Sequence, residues 1–364
     1  MINKIDRTNI TGAKAAVPCF IAFSFALLLS AVAASGQDQL VFGLDVIRHG
    51  DRTPLNDIPA ASHTWSEGLG QMTATGIQQE YQLGVKFRAF YVDRYHLLPP
   101  TYTNGILYAR STDVDRTLVS AQMVLMGLYP PGAGPKLPTG QPAAPNALQP
   151  IPVHTVPSEV DSLLIPDHDS KAFAQLLERY VLATPAWKRK SAELEPKFTR
   201  WSEATGLRIE NLTQVSALAD VLYIYQLNHL QLPSALELDA QTIIEAGQWA
   251  FVQSYRPSQV GRATGGLLLK QIADCLQQVS AGKTSLRYVL FSAHDSTILS
   301  EMSALGSPMT NAPPYSCDLR FTLFKTPSAA FRIEVSLNDQ LVRLPAFRAA
   351  SGSLAEFQAL AEGH

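Results

Sequence analysis

Cysteine is scarce in this sequence, with three in 364 residues, Cys19, Cys275 and Cys317. None has a His, Asp or Glu neighbour at metal-ligand spacing, so a zinc or thiol-redox site is excluded. An excess of one charge is also missing. With 29 Lys and Arg against 31 Asp and Glu, the net charge of −2 predicts no nucleic-acid or anionic-membrane partner, and any strongly cationic site must be local. There is no internal repeat. Long apolar runs are absent too, apart from one near the start, "AAVPCFIAFSFALLLSAV".

That run follows Lys4, Arg7 and Lys14 and ends in the small residues "AASG", the layout of a secretory signal with an Ala-x-Ala exit around Ala31 to Ala34. We expect residues 1–34 to be cleaved, which also removes Cys19. Loss of Lys4, Arg7, Lys14 and Asp6, a net of +2, leaves the mature chain near −4. Its destination is then secreted or periplasmic, with no membrane contact after cleavage. In an oxidising compartment Cys275 and Cys317 could pair or stay as two buried thiols, and sequence leaves both open.

Beyond the leader, short apolar runs alternate with helical patterns. "LVFGLDVI" reads as a strand, "MTATGIQQEYQLGVKFRAFYV" as an amphipathic helix, "GILYAR" as a strand, "DRTLVSAQMVLMGLY" as a helix and "IPVHTV" as a strand, the rhythm of an α/β sheet between helices. From 158 to 233 only the helical period persists, which predicts an inserted all-helical cap. The α/β core, 38–157, resumes at 234–364 with two helical patterns, the strand "LRYVLFSAHD" and antiparallel strands around an Asn338-Asp339 turn. The expected fold class is therefore α/β, a central mixed sheet with helices on both faces plus the helical cap.

Three polar clusters each follow a predicted strand: Arg48, His49 and Arg52 in "VIRHGDRTP"; Arg110 after "GILYA"; His294 and Asp295 after "YVLFSA". In open α/β sheets ligand sites gather beyond the carboxyl ends of strands. A pocket of arginine forks suits a tetrahedral oxyanion and can stabilise phosphoryl transfer without a metal or any other cofactor. His49, its pKa held down by the arginines, is placed to be the nucleophile, and Asp295 to protonate the leaving oxygen and then activate water. On its own Asp295 also fits an N-cap for the helix that "STILSEMSAL" begins.

"RHGDRTP", "RSTDVDRT" and "AHDST" resemble the histidine acid phosphatases, the branch of the histidine phosphatase superfamily with prostatic and lysosomal acid phosphatases and, more distantly, phytases. "GLGQMTATGIQQEYQLG", "PIPVHTVP", "GGLLL" and "PPYSCDLRF" extend the resemblance over nearly the whole mature chain. It implies the histidine phosphatase fold and an acid phosphatase that hydrolyses small phosphomonoesters at acidic pH. It implies a phosphohistidine on His49, phosphate binding by Arg48, Arg52, Arg110 and His294, and Asp295 as proton donor. A phytase or sugar phosphatase is the alternative, against which Thr297 stands where those relatives carry Asn; a non-catalytic phosphate-binding protein is the rival from another class. His154, His168 and His229 read as structural, Asn211 as a sequon that matters only in a eukaryotic host. No motif sets the oligomeric state, and a homodimer stays open.

Overall fold

The computed structural model describes residues 37–61 and 63–363; the leader expected at 1–34 lies outside them. In chain order the elements are β1 (Gln39–Arg48), α1 (Ala74–Phe87), β2 (Leu107–Ser111), α2 (Asp115–Leu128), β3 (Val153–His154), α3 (Ser170–Leu177), α4 (Pro185–Thr205), α5 (Leu212–Leu227), α6 (Ala240–Tyr255), α7 (Ser258–Ser280), β4 (Tyr288–Ala293), α8 (Asp295–Ala304), β5 (Asp318–Lys325), β6 (Phe331–Leu337), β7 (Gln340–Leu341), β8 (Gly352–Ser353) and α9 (Leu354–Glu362).

The strands lie in the order β3-β2-β4-β1-β5-β6-β7, with β8 on β6. β3, β2, β4 and β1 run parallel, whereas β5 and β6 continue the sheet antiparallel, so the sheet is mixed. β1 sits between β4 and β5 and is buried on both faces, which explains its near-continuous apolar run. On one face Phe42, Leu44 and Val46 pack with Leu268, Leu269 and Ile298 of α7 and α8. On the other, Ile47, Ala109 and Leu290 meet Leu83, Phe87 and Val124 of α1 and α2.

Two elements depart from the expected lengths. "IPVHTV" pairs only at Val153 and His154, because Pro152 and Pro157 have no N–H to give a ladder. The helix expected to Val92 is α-helical to Phe87 and continues as a π-helical stretch, Arg88–Arg94.

The helical part has an apolar core of its own, in which Trp187, Leu194, Phe198 and Trp201 of α4 and Leu218, Leu222 and Tyr225 of α5 meet Ile243 and Ile244 of α6. Its helix ends follow local chemistry. Thr184 caps α4 with Pro185 at the first position, Gly206 closes it in the left-handed region at φ 74°, and the Asn211 side chain accepts from the N–H groups of Thr213 and Gln214 at the start of α5. Cys275 and Cys317 are free thiols. Among the described residues no helix is long and apolar enough to cross a membrane.

α1 and α2 touch backbone to backbone. A Cβ added at Gly84 would fall inside the Val124 carbonyl, and one at Gly127 inside the Tyr81 carbonyl. Gly84→Ala should therefore cost about 1–3 kcal/mol by forcing the helices apart, read as a lower urea midpoint; an unchanged midpoint would show that the pair has room to spare.

Candidate active site

Register assembles the site. Ile47 pairs with Ser292 and Arg48 with Ala293, and the His49 N–H donates to the Ala293 carbonyl at 3.2 Å. His49 and His294, each the first residue beyond its strand, therefore meet, with ring centroids 5.8 Å apart. β2 ends level with them, since the Thr112 N–H donates to Ser292 and the Thr112 hydroxyl lies 3.0 Å from His294 Nε2. Below the loop, Gly50 and Gly76 are in backbone contact that no Cβ would fit, which seats the "RHG" turn on the start of α1.

His49 is buried, and its Nδ1 lies 2.8 Å from the Gly50 carbonyl. A carbonyl only accepts, so Nδ1 carries the proton and Nε2 keeps its lone pair. Burial, and then Arg48, Arg116 and Arg52, hold the imidazole well below its ordinary pKa. His294 is brought down to about 3 by burial and then by Arg116.

The arginines are held by different partners. Arg48 pairs with Asp295 at 2.8 Å, donates to the Pro313 carbonyl and lies 4.3 Å from the centre of the Tyr315 ring. Arg52 is gripped end-on by Asp220 of α5, Nη1 to Oδ2 at 2.9 Å and Nη2 to Oδ1 at 3.0 Å, while Nη1 also donates to the Thr53 carbonyl. Arg116, in the first turn of α2, donates to the Gly70 carbonyl at 3.4 Å, its one hydrogen bond among the described residues, and is lowered to about 10 by burial and then by Arg52. Among the described residues the Nε atoms of Arg48, Arg52 and Arg116, and that of Arg110, are buried without a partner.

Of the six residues singled out from sequence, Arg48, His49, Arg52, His294 and Asp295 come together. Arg110 does not share their contacts. Its Nη2 donates to Asp161 at 2.5 Å, and that carboxylate oxygen also accepts from the N–H groups of Leu163 and Leu164. The charge expected of Arg110 comes instead from Arg116, six residues on in the same "RSTDVDRT" stretch. Sequence reasoning favoured the arginine that follows the strand, whereas the one in the next helix's first turn faces the histidines. Asp220 carries no local signal at all. Asp295 is not the cap but the first residue of α8, with His294 in the cap position. Burial alone raises its carboxyl; Arg48, Arg52 and His294 outweigh burial and hold it below its ordinary range. The three histidines expected to be structural stay outside: His154 stacks on Tyr108, His168 lies within hydrogen-bond distance of the Ile165 carbonyl, and His229 sits in a turn after α5.

The model of the histidine phosphatase superfamily (branch 2) matches residues 44–338. The chain belongs to that family. Testicular acid phosphatase of Homo sapiens is 35% identical over 82% of this chain and 71% of that protein, and lysosomal acid phosphatase of Xenopus laevis 32% identical over 89% and 75%. Among solved structures the phytase of Klebsiella sp ASR1 aligns with a TM-score of 0.65 at 17% identity over 90% of this chain and 96% of that one, a likeness of fold. The chain is accordingly an enzyme of the acid phosphatase class, a phosphoric monoester hydrolase.

Behind the site, Glu80 is buried, accepts from the Ser316 hydroxyl at 2.8 Å, and has no partner for Oε2. Burial pushes its carboxyl up to about 8. A carboxyl raised on folding stabilises fully below its unfolded pKa, and that stability is lost as pH climbs through the folded value. Glu80 thus contributes a loss of stability between about pH 4.5 and about pH 8. Glu80→Gln, neutral throughout, should flatten the fall of Tm over that window; an equally steep fall in the variant would place the titration elsewhere.

Proposed function

We propose that the chain is an exported acid phosphatase working through a phosphohistidine on His49, with Asp295 as proton donor and no metal. The observation that carries this reading is the buried His49 with Nδ1–H fixed on Gly50, under the charges of Arg48, Arg116 and Arg52, whose Nε–H groups have no partner among the described residues. A phosphoryl group supplies the acceptors that these donors lack. Arg48, Arg52, Arg116 and His294 form its cradle. Arg110 is left to brace the loop at Asp161.

In the first step the Nε2 lone pair attacks phosphorus, the bond from phosphorus to the leaving oxygen breaks, and Asp295 passes its proton to that oxygen. In the second, a water gives a proton to the Asp295 carboxylate while its oxygen attacks phosphorus, releasing phosphate and His49. Paired with Arg48, Asp295 is ionised, so it must gain a proton when substrate binds. Phosphoryl oxygens compete for Arg48 and bring negative charge beside the carboxyl, both of which raise its pKa. A monoester whose second pKa is about 6 carries that proton in mildly acidic solution, which supports an acidic working range. Spreading charge onto three guanidinium groups does the work that a cation would do, and among the described residues no group of three His, Cys, Asp or Glu could hold a metal.

The proposed division is a core of 38–157 and 234–364 with a cap at 158–233, supported by the separate apolar core of the helical part, which also takes in residues of α6. Export rests on the leader pattern, and the substrates are small phosphomonoesters.

His49→Ala should lose turnover by more than about a thousandfold while vanadate still binds, and acid quench of the native enzyme should trap label on His49. Substantial residual turnover would sink the covalent route. Asp295→Ala should slow glycerol phosphate far more than p-nitrophenyl phosphate, whose leaving group needs a proton less; a common factor under phosphorylation-limited conditions would send the proton donor elsewhere. Arg116→Ala should weaken inhibition by phosphate about a hundredfold and Arg110→Ala much less, and the reverse order would restore Arg110 to the cradle.

A further inference from the structure

The floor of the site is cationic, but what lies over the cations is not. Arg52 is 6% exposed and its partner Asp220 28%; Arg48 is 9% exposed and its partner Asp295 21%. In both pairs the carboxylate stands on the solvent side of its guanidinium. A third carboxyl, Asp167 of the loop before α3, is close enough to Asp295 and Tyr255 for their charges to act on it. The end-on grip of Asp220 engages both Nη atoms of Arg52 and leaves its buried Nε–H without a partner among the described residues. A phosphoryl group that takes this Nε–H would leave the Asp220 grip intact, with the carboxylate beside the bound substrate.

We infer that this carboxylate-lined mouth is a specificity device, with Asp220 as its principal residue, and that it selects monoesters with one phosphoryl group on a neutral or cationic remainder. The inference rests on the phosphoryl cradle proposed above. Asp295 protonates the leaving oxygen, so the remainder of the substrate emerges at the level of Asp295, beside Asp167 and Asp220. With Asp295 protonated at that stage and Asp167 raised by burial, the charge there is chiefly that of Asp220: a second phosphate or a carboxylate meets like charge, whereas an ammonium group meets attraction. At a partly exposed mouth, with an effective dielectric between about 20 and 80, one unit charge about 6 Å away changes kcat/KM by about tenfold. The same geometry counts against polyphosphorylated substrates, whose additional phosphates would need cations at this level.

The test is a matched series of alkyl monoesters at about pH 5: ethyl phosphate, phosphoethanolamine and phosphoglycolate. For the native enzyme kcat/KM should be about tenfold lower for phosphoglycolate than for ethyl phosphate, with phosphoethanolamine equal to or above ethyl phosphate. In Asp220→Asn the spread should narrow several-fold. If Asn also loosens Arg52, all three esters slow by one factor and the ratio is unaffected. Should the variant not fold, the native enzyme in about 0.5 M salt provides the same reading, because screening also narrows the spread. Phosphoglycolate within twofold of ethyl phosphate, or a spread unmoved by both Asp220→Asn and salt, overturns the inference. Failure to hydrolyse ethyl phosphate and p-nitrophenyl phosphate alike is a different result: it removes the cradle itself, and the inference with it.

Discussion

The pairing of β1 with β4 is the constraint on which the site depends. Because Arg48 lies opposite Ala293, the next residue of each strand is a histidine, and the two rings share one space beyond the sheet. A slip of one residue would turn Arg48 to the opposite face and send Phe42, Leu44 and Val46 out of their core. The apolar contacts that stabilise β1 therefore also fix the geometry of the candidate site, and the Arg48–Asp295 pair ties the two strand ends across the gap. Packing and chemistry are one constraint here.

Burying several guanidinium groups is costly unless each is paired and hydrogen-bonded. The structure solves this piecemeal, with Asp295 for Arg48, Asp220 for Arg52, and a carbonyl for Arg116. None of these solutions uses the Nε–H, and this incompleteness is what the proposed phosphoryl binding would complete. A contrast stands on the other side of β1. There Arg320 is met by Asp45, Asp318 and Asp339 and lies against the rings of Phe87, Phe90 and Tyr91. With its Nε and both Nη atoms engaged, it has become part of the core.

The sheet and its helices were legible because strand and helix periods differ and because β1 and β4 are short apolar runs that end in charge. Of the six candidate residues that the structure brings together, five were legible for a related reason, as polar groups at or directly after the ends of such runs. Arg116 was not, since a helix's first turn is an ordinary place for an arginine and only the packing of α2 shows which way it faces. Asp220 was hidden more deeply. It lies 168 positions from Arg52 in the chain, inside a helix whose pattern reports only its apolar contacts.

Arg110 shows why proximity to a strand end does not by itself make a ligand-binding residue. Side chains alternate along β2, and the Arg110 side chain meets Asp161 in the connection after β3. Asp161 takes up the Leu163 and Leu164 N–H groups, and the Leu164 carbonyl accepts from the Thr297 hydroxyl, which itself accepts from the His294 N–H at 3.3 Å. The chain of contacts thus runs from β2 through the entry to the helical part and ends on the backbone of His294. A positive charge on Arg110 compensates the buried Asp161, and Asp161 in turn shapes the turn that holds Thr297. Its place in "RSTDVDRT" follows from this brace: one arginine of the stretch supports the histidine that the other faces.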